Sequence, residues 1–228
     1  MYQLYIANKN YSSWSLRPWV LLHTLDIAFE ERFVPFLQPD NFMAFRAFSP
    51  SGKVPCLVDG EQVVWDSLAI IEYLYEQEPR VWPESLAARS WARCASAEMH
   101  SGFTSLREEC TMNVGVLVRM NQISAALQRD LDRVDELWTQ GLQQFGGPFL
   151  AGERFTAVDA FFAPVVFRAS SYQLPLSDLA NAYVARILQM PAMQAWKKAA
   201  LVEPYREAAH EAELQTIGQV LADHRQPL

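Results

Sequence analysis

Cysteine and histidine are both scarce in this chain of 228 residues, and each scarcity removes a class of function. The cysteines are Cys56, Cys94 and Cys110, odd in number, widely spaced and without a CxxC pair. Neither a disulfide framework nor a cysteine-built zinc site is expected, and a reducing cytosol fits. The four histidines form no HxxxH or HExxH arrangement, so no metal is expected. Lys and Arg number 19 against 26 Asp and Glu, a net charge of −7. Nucleic-acid affinity rests on clustered cations, so nucleic acid is not an expected partner. No stretch reaches the roughly 18 uninterrupted apolar residues of a membrane span. The opening Met1-Tyr2-Gln3-Leu4-Tyr5 lacks the basic stretch and apolar run of a secretory leader. The expectation is a cytoplasmic protein with no membrane partner.

What is present is ordinary globular material: 50% hydrophobic and 20% charged residues, enough for buried cores without staples. The length suits two compact domains. Gln3–Ile6 reads as a strand, Asn8–Ser13 as a polar turn, and Trp19, Leu22 and Leu25 fall at helical spacing. A second strand is expected around Glu31–Pro35, then a loop with Pro39 and a short helix near Phe42–Phe48. Val54–Val58 and Gln62–Trp65 flank the turn Asp59-Gly60 as a hairpin, and Asp66 opens a helix to about Gln77. The order βαβαββα predicts a thioredoxin-like α/β domain with a mixed sheet over residues 1–78.

Pro79 and Pro83 mark residues 79–85 as the linker. Beyond it nothing strand-like of useful length is expected. Helical periodicity runs through Leu86–Val118, Ile123–Phe145, Ala157–Tyr172, Leu179–Leu188 and Ala192–Leu201, which predicts an all-α helical bundle over 86–228. Within it Thr156-Ala157-Val158-Asp159 has the form of a capping box, with Thr156 as N-cap and Asp159 reaching back. Asp159 is read as a buried folding determinant rather than a catalytic group, and Trp138 and Trp196 as bundle core.

The chemistry concentrates after the first strand, at Tyr11-Ser12-Ser13-Trp14-Ser15-Leu16-Arg17-Pro18. Pro18 is tolerable in a first helical turn, so the helix is expected to start near Ser13 to Ser15. Serines replace the cysteine pair that disulfide exchange would need. A serine there can donate a hydrogen bond to a thiolate carried by a ligand, with the helix dipole favouring the same anion. Lowering a thiol pKa by about two units takes about 2.7 kcal/mol. A hydrogen bond to a charged group contributes roughly 1.5 to 3 kcal/mol, and a helix N-terminus about 0.3 to 1 kcal/mol more. The two together suffice without a general base. Lys53-Val54-Pro55 places a proline before a strand, where a cis bond exposes backbone groups to a peptide-like ligand. Asp66-Ser67 at a helix start suits an amino-acid end, Ser67 for its carboxylate and Asp66 for its ammonium.

In this order and spacing, Ser12-Ser13-Trp14-Ser15, Lys53-Val54-Pro55, Asp66-Ser67-Leu68-Ala69-Ile70-Ile71-Glu72-Tyr73-Leu74 and Thr156-Ala157-Val158-Asp159 resemble the glutathione transferase family over nearly the whole chain. The resemblance implies a homodimer that takes glutathione as co-substrate and joins it to a small electrophile, a detoxifying reaction. It implies that Val54 pairs with the cysteinyl backbone, that Asp66 and Ser67 bind the γ-glutamyl end, that Lys53 approaches the glycyl carboxylate, and that Ser12 or Ser13 faces the sulfur. The double serine is most similar to the zeta class, whose first serine is catalytic, which ranks Ser12 first; Trp14 stands where that class has cysteine. Trp14, Arg107, Met112 and Val116 are the expected second-substrate pocket. The arginine with which zeta-class isomerases hold a substrate carboxylate falls opposite Ser171, and Arg168, one turn earlier, is its candidate replacement. Two alternatives stand beside conjugation: isomerisation of the maleylacetoacetate type, and a non-catalytic interaction module. Among Tyr2, Tyr5 and Tyr11, Tyr5 is read as packing a sheet face.

Overall fold

The computed structural model describes residues 1–36 and 41–227; the loop proline Pro39 lies outside them. Strand β1 (Tyr2–Ile6) is central, with Leu4 and Ile6 fully buried. It pairs in parallel with β2 (Phe29–Phe33) and antiparallel with β3 (Cys56–Asp59). β3 returns through Gly60, whose φ of +59° suits glycine, into β4 (Gln62–Trp65). The sheet order is β2-β1-β3-β4, the mixed sheet that the alternation predicts. β2 starts two residues earlier than expected because its register matches Phe29 to Tyr2 and Phe33 to Ile6.

Helix α1 (Ser13–Thr24) links β1 to β2. Pro18 lies in its second turn rather than its first, so the Trp14 carbonyl has no i+4 amide donor. Burial compensates: Leu16, Val20, Leu21 and Leu22 are completely enclosed. The short α2 (Phe42–Arg46) precedes β3 and α3 (Ser67–Tyr75) follows β4.

A 3-10 turn at Pro79–Val81 leads to α4 (Leu86–Ser101), α5 (Thr104–Glu109), strand β5 (Val116–Met120), α6 (Ala125–Phe145), α7 (Ala157–Tyr172), α8 (Asp178–Leu188), α9 (Pro191–Leu201), α10 (Ala208–Ile217) and strand β6 (Gly218–Asp223). This half is mainly helical, with two departures from expectation. The single helix expected over Leu86–Val118 breaks at Gly102 and at Phe103, which adopts φ +58°. And β5 pairs antiparallel with β6, so the half is not all-helical.

α7 is buried on nearly every face, as its apolar sequence demands, and α1 packs against it. Trp138 and Trp196 are fully enclosed, as expected of core residues. The Thr156 amide donates to Asp159 Oδ2 at 2.9 Å, the reach-back that the capping box predicts.

Candidate active site

The loop that enters α1 is held from the helical half. Glu203 accepts from the Lys9 amide at 2.7 Å, Asn10 Nδ2 donates to the Ala200 carbonyl at 2.6 Å, and Trp196 Nε1 donates to the Lys9 carbonyl at 2.9 Å. Burial pushes the Glu203 carboxyl up. At the helix start, Ser12 occupies the N-cap but makes no side-chain cap bond. Its hydroxyl donates instead to Ser15 Oγ at 2.7 Å, which also accepts from the Ala7 amide at 3.3 Å.

Ser12, Ser13 and Trp14 line a cleft of about 850 Å3 between the loop before β3 and the helices of the second half. Lys53 and Val54 line it from the loop before β3, and Arg107, Met112 and Arg168 from the helical half. The Val54–Pro55 peptide is cis. The structure thus brings together both candidate serines, two members of the Lys53 motif and most of the expected second-substrate wall. Val116 is the exception: strand pairing with Asp223 turns it into the core, 3% exposed, and it does not line the cleft.

Asp66 and Ser67 lie beyond Trp14 rather than in the cleft wall. Asp66 is exposed and holds φ +75° and ψ +137° while its side chain accepts from the Leu68 amide at 2.8 Å. A non-glycine residue in such a region carries strain of about 1–3 kcal/mol, which concentrates at functional sites. Ser67 is fully buried and its Oγ accepts from Arg17 Nη1 at 3.3 Å, so its hydroxyl faces a protein partner instead of open space.

Arg17 is the residue that sequence reasoning missed here. Its guanidinium stacks at 4.1 Å on the Trp14 ring, its Nε has no hydrogen-bond partner among the described residues, and it is 1% exposed. Burial, then Arg107 and Arg168, hold its pKa low. Arg107 stacks on Trp14 at 4.9 Å. Arg168 donates from Nε to the Cys110 carbonyl at 2.6 Å, and burial followed by Arg107 brings it down to about 10. These like charges favour an anion nearby. Ser171, expected opposite the arginine of zeta-class isomerases, is buried and donates to the Asn113 carbonyl at 2.9 Å. The one signal for Arg17 in the sequence is a cation inside an otherwise apolar helix.

His100, also missed, sits 3.4 Å from Asp66 Oδ2 and edge-on to Trp14; burial lowers its pKa. α10 supplies His210, Glu213, Thr216 and Ile217 to the cleft, again unforeseen. Tyr11 also lines it, but its hydroxyl donates to Glu211 Oε1 at 2.7 Å, and burial plus that bond push its pKa up. Tyr5 stacks on Phe48 at 4.2 Å, as a sheet-face residue should. Among the described residues, no helix is long and apolar enough to cross a membrane, and no group of three or more His, Cys, Asp or Glu gathers as for a metal.

The sequence profile of the glutathione S-transferase N-terminal domain matches residues 11–77 and that of its C-terminal domain residues 118–198. A probable maleylacetoacetate isomerase of Caenorhabditis elegans is 29% identical over 183 residues, 76% of this chain and 81% of that one. A zeta-class glutathione S-transferase of Euphorbia esula is 28% identical over 162 residues, 69% and 72% of the two chains. Among solved structures, the holo form of a bacterial zeta-class maleyl pyruvate isomerase superposes with a TM-score of 0.67 at 24% identity, covering 90% of this chain and 100% of that one.

Proposed function

Because this chain belongs to the glutathione S-transferase family of enzymes, we propose that it binds glutathione along the cleft and holds its thiolate with a serine for attack on a small apolar electrophile. The observation that carries this reading is the convergence of Ser12, Ser13, Lys53 and Val54 on one cleft at the start of α1. Neutral hydroxyls and a helix dipole stabilise a thiolate there without a base. Ser12 is the first choice: when its proton turns to the sulfur, Ser15, 2.7 Å away, becomes donor to Ser12, which strengthens the pair cooperatively. Lys53 meets the glycyl carboxylate and Val54 the cysteinyl backbone. Past Trp14, beyond the cleft wall, Asp66 takes the γ-glutamyl ammonium, and Ser67, whose hydroxyl is tied to Arg17, offers its backbone N–H to the carboxylate. The homodimer and the cytoplasmic setting are part of the same reading. Val63 and Trp65, 37% and 45% exposed on the free edge of β4, offer apolar surface for a second copy. The three cysteines are free thiols, which suits a reducing compartment.

A second reading is favoured by Arg107 and Arg168, which face the cleft and suit a substrate with carboxylates: glutathione-dependent cis–trans isomerisation of a diacid. Here Arg168 stands in for the arginine that Ser171 replaces. Turnover of maleylacetone separates the readings. The primary test is the ultraviolet thiolate absorbance of glutathione titrated with the protein across pH. A bound thiolate well below the pH at which free glutathione ionises is the expected result; its absence sinks the serine mechanism and favours a non-catalytic interaction module.

A further inference from the structure

The cleft has a second polar feature, at its α10 wall, that thiolate stabilisation does not use. His210 lines it, its ring 5.0 Å from that of Tyr11 and 6.2 Å from that of Phe36. Ring Nδ1 lies 2.6 Å from Glu207 Oε2. The same carboxylate oxygen accepts from the His210 amide at 2.8 Å, as the N-cap of α10. Glu207 is 6% exposed, so the helix start fixes the carboxylate and the carboxylate fixes the ring. Burial alone would raise the Glu207 carboxyl, but donation from the His210 amide, its ring and the Ala209 amide holds it low, so it stays an anion.

Nearby Glu211 does not compete for the ring, since Tyr11, Asn113 and Arg225 occupy it. With Nδ1 committed to Glu207, Nε2 is the ring nitrogen left to act, and it makes no hydrogen bond to the described residues. A carboxylate that orients an imidazole whose other nitrogen is open is the arrangement of a general acid or base.

We infer that His210, oriented by Glu207, is the proton donor to the second substrate, and that this substrate is an alkene conjugated to a carbonyl. The inference rests on the glutathione reading above. The thiolate's lone pair forms the C–S bond at the β-carbon, and the alkene π pair moves to the enolate. The proton on Nε2 of a ring carrying both protons passes to the α-carbon, and the N–H electron pair remains on Nε2. The ring regains a proton from solvent, which received the thiol's proton when the thiolate formed. The net change is addition of S–H across the alkene, with nothing oxidised or reduced. Displacement of chloride from an aryl chloride needs no such proton, so the two chemistries separate His210 from the thiolate machinery.

The test compares hexenal with chlorodinitrobenzene as electrophiles, using the whole protein with glutathione. General acids contribute roughly 100- to 10,000-fold. His210→Gln is therefore expected to lower kcat for hexenal by at least about 30-fold, with KM and the aryl chloride rate within about twofold. Glu207→Gln should lower the hexenal rate by roughly fivefold or more, since it frees the ring. A solvent deuterium isotope effect on the unsubstituted protein, expected for hexenal and absent for the aryl chloride, reads the same proton without any substitution. Equal losses on both electrophiles, or none on either, overturn the role of His210. Turnover of the aryl chloride without hexenal overturns the substrate class. Absence of bound thiolate removes the glutathione reading, and this one with it; a thiolate present beside a hexenal rate insensitive to His210→Gln removes this one alone.

Discussion

Two helix N-termini in this protein each begin with a hydroxyl residue and use it to opposite ends. At α7, Asp159 accepts from the Leu150 amide at 3.0 Å, the Thr156 amide at 2.9 Å and the Tyr183 hydroxyl at 3.0 Å, and it has no exposed surface. At α1, the N-cap Ser12 leaves the helix uncapped by its side chain and lies on a cleft. A cap closed on its own chain contributes to folding; one left open keeps its donors for a ligand. α3 falls between the two: Asp66 caps Leu68 yet is exposed and strained.

The largest expected effect tests the closed end. Asp159→Ala would strand three buried donors, each costing about 1–3 kcal/mol, and should lower stability in urea by at least about 4 kcal/mol. The comparison breaks if the variant keeps its stability within about 1 kcal/mol and loses turnover instead, because Asp159 would then belong to the chemistry.

A pH series sharpens the same point. Burial pushes the Asp159 carboxyl up to about 6 despite its hydrogen bonds. A raised folded pKa means that the fold favours the protonated form. The contribution is therefore fully present below the unfolded value of about 3.9 and is lost as pH rises through the folded one. Relative to Asp159→Asn, the unsubstituted protein should lose on the order of 3 kcal/mol between about pH 4 and 7, read from urea midpoints. A flat difference would mean that the charge is not buried there.

Legibility in the sequence follows the range of the interactions. The hairpin at Asp59-Gly60 and the Thr156–Asp159 box are set within a few residues, and both are readable. β5 is not, because Val116–Met120 becomes a strand only by pairing with Gly218–Asp223 about a hundred residues later, where pattern alone cannot arbitrate a short apolar run. The same limit governs the site. Ser12 and Ser13 announce themselves at a helix start, whereas Arg17 acquires meaning only against Trp14 and Ser67, and His210 only once α10 closes over Tyr11. Val116 meets the same limit: nothing local in the expected helix over Leu86–Val118 reveals the strand pairing that puts it in the core.

At the open end the readouts should reverse. Ser12→Ala removes no cap bond, so stability should move by less than about 1 kcal/mol. kcat/KM should fall at least about tenfold, or 1.4 kcal/mol, together with the bound-thiolate signal. Ser13→Ala serves as the paired control: a loss at Ser13 with none at Ser12 would move the sulfur contact by one residue and leave the comparison between the helix ends standing.

The smallest effect isolates the cap itself. Ser124, N-cap of α6, is a serine like Ser12, but its Oγ accepts from the Leu127 amide at 3.0 Å and donates to Glu109 Oε1 at 2.7 Å. Both of its hydrogen-bonding capacities are used within the chain. Ser124→Ala should therefore cost about 1 kcal/mol of stability, the usual worth of a serine cap, and leave glutathione turnover unchanged. Deleting the same oxygen at Ser12 and at Ser124 thus predicts opposite patterns, activity without stability at one and stability without activity at the other. Matching patterns would mean that an open helix start in this protein is an accident of packing rather than a site.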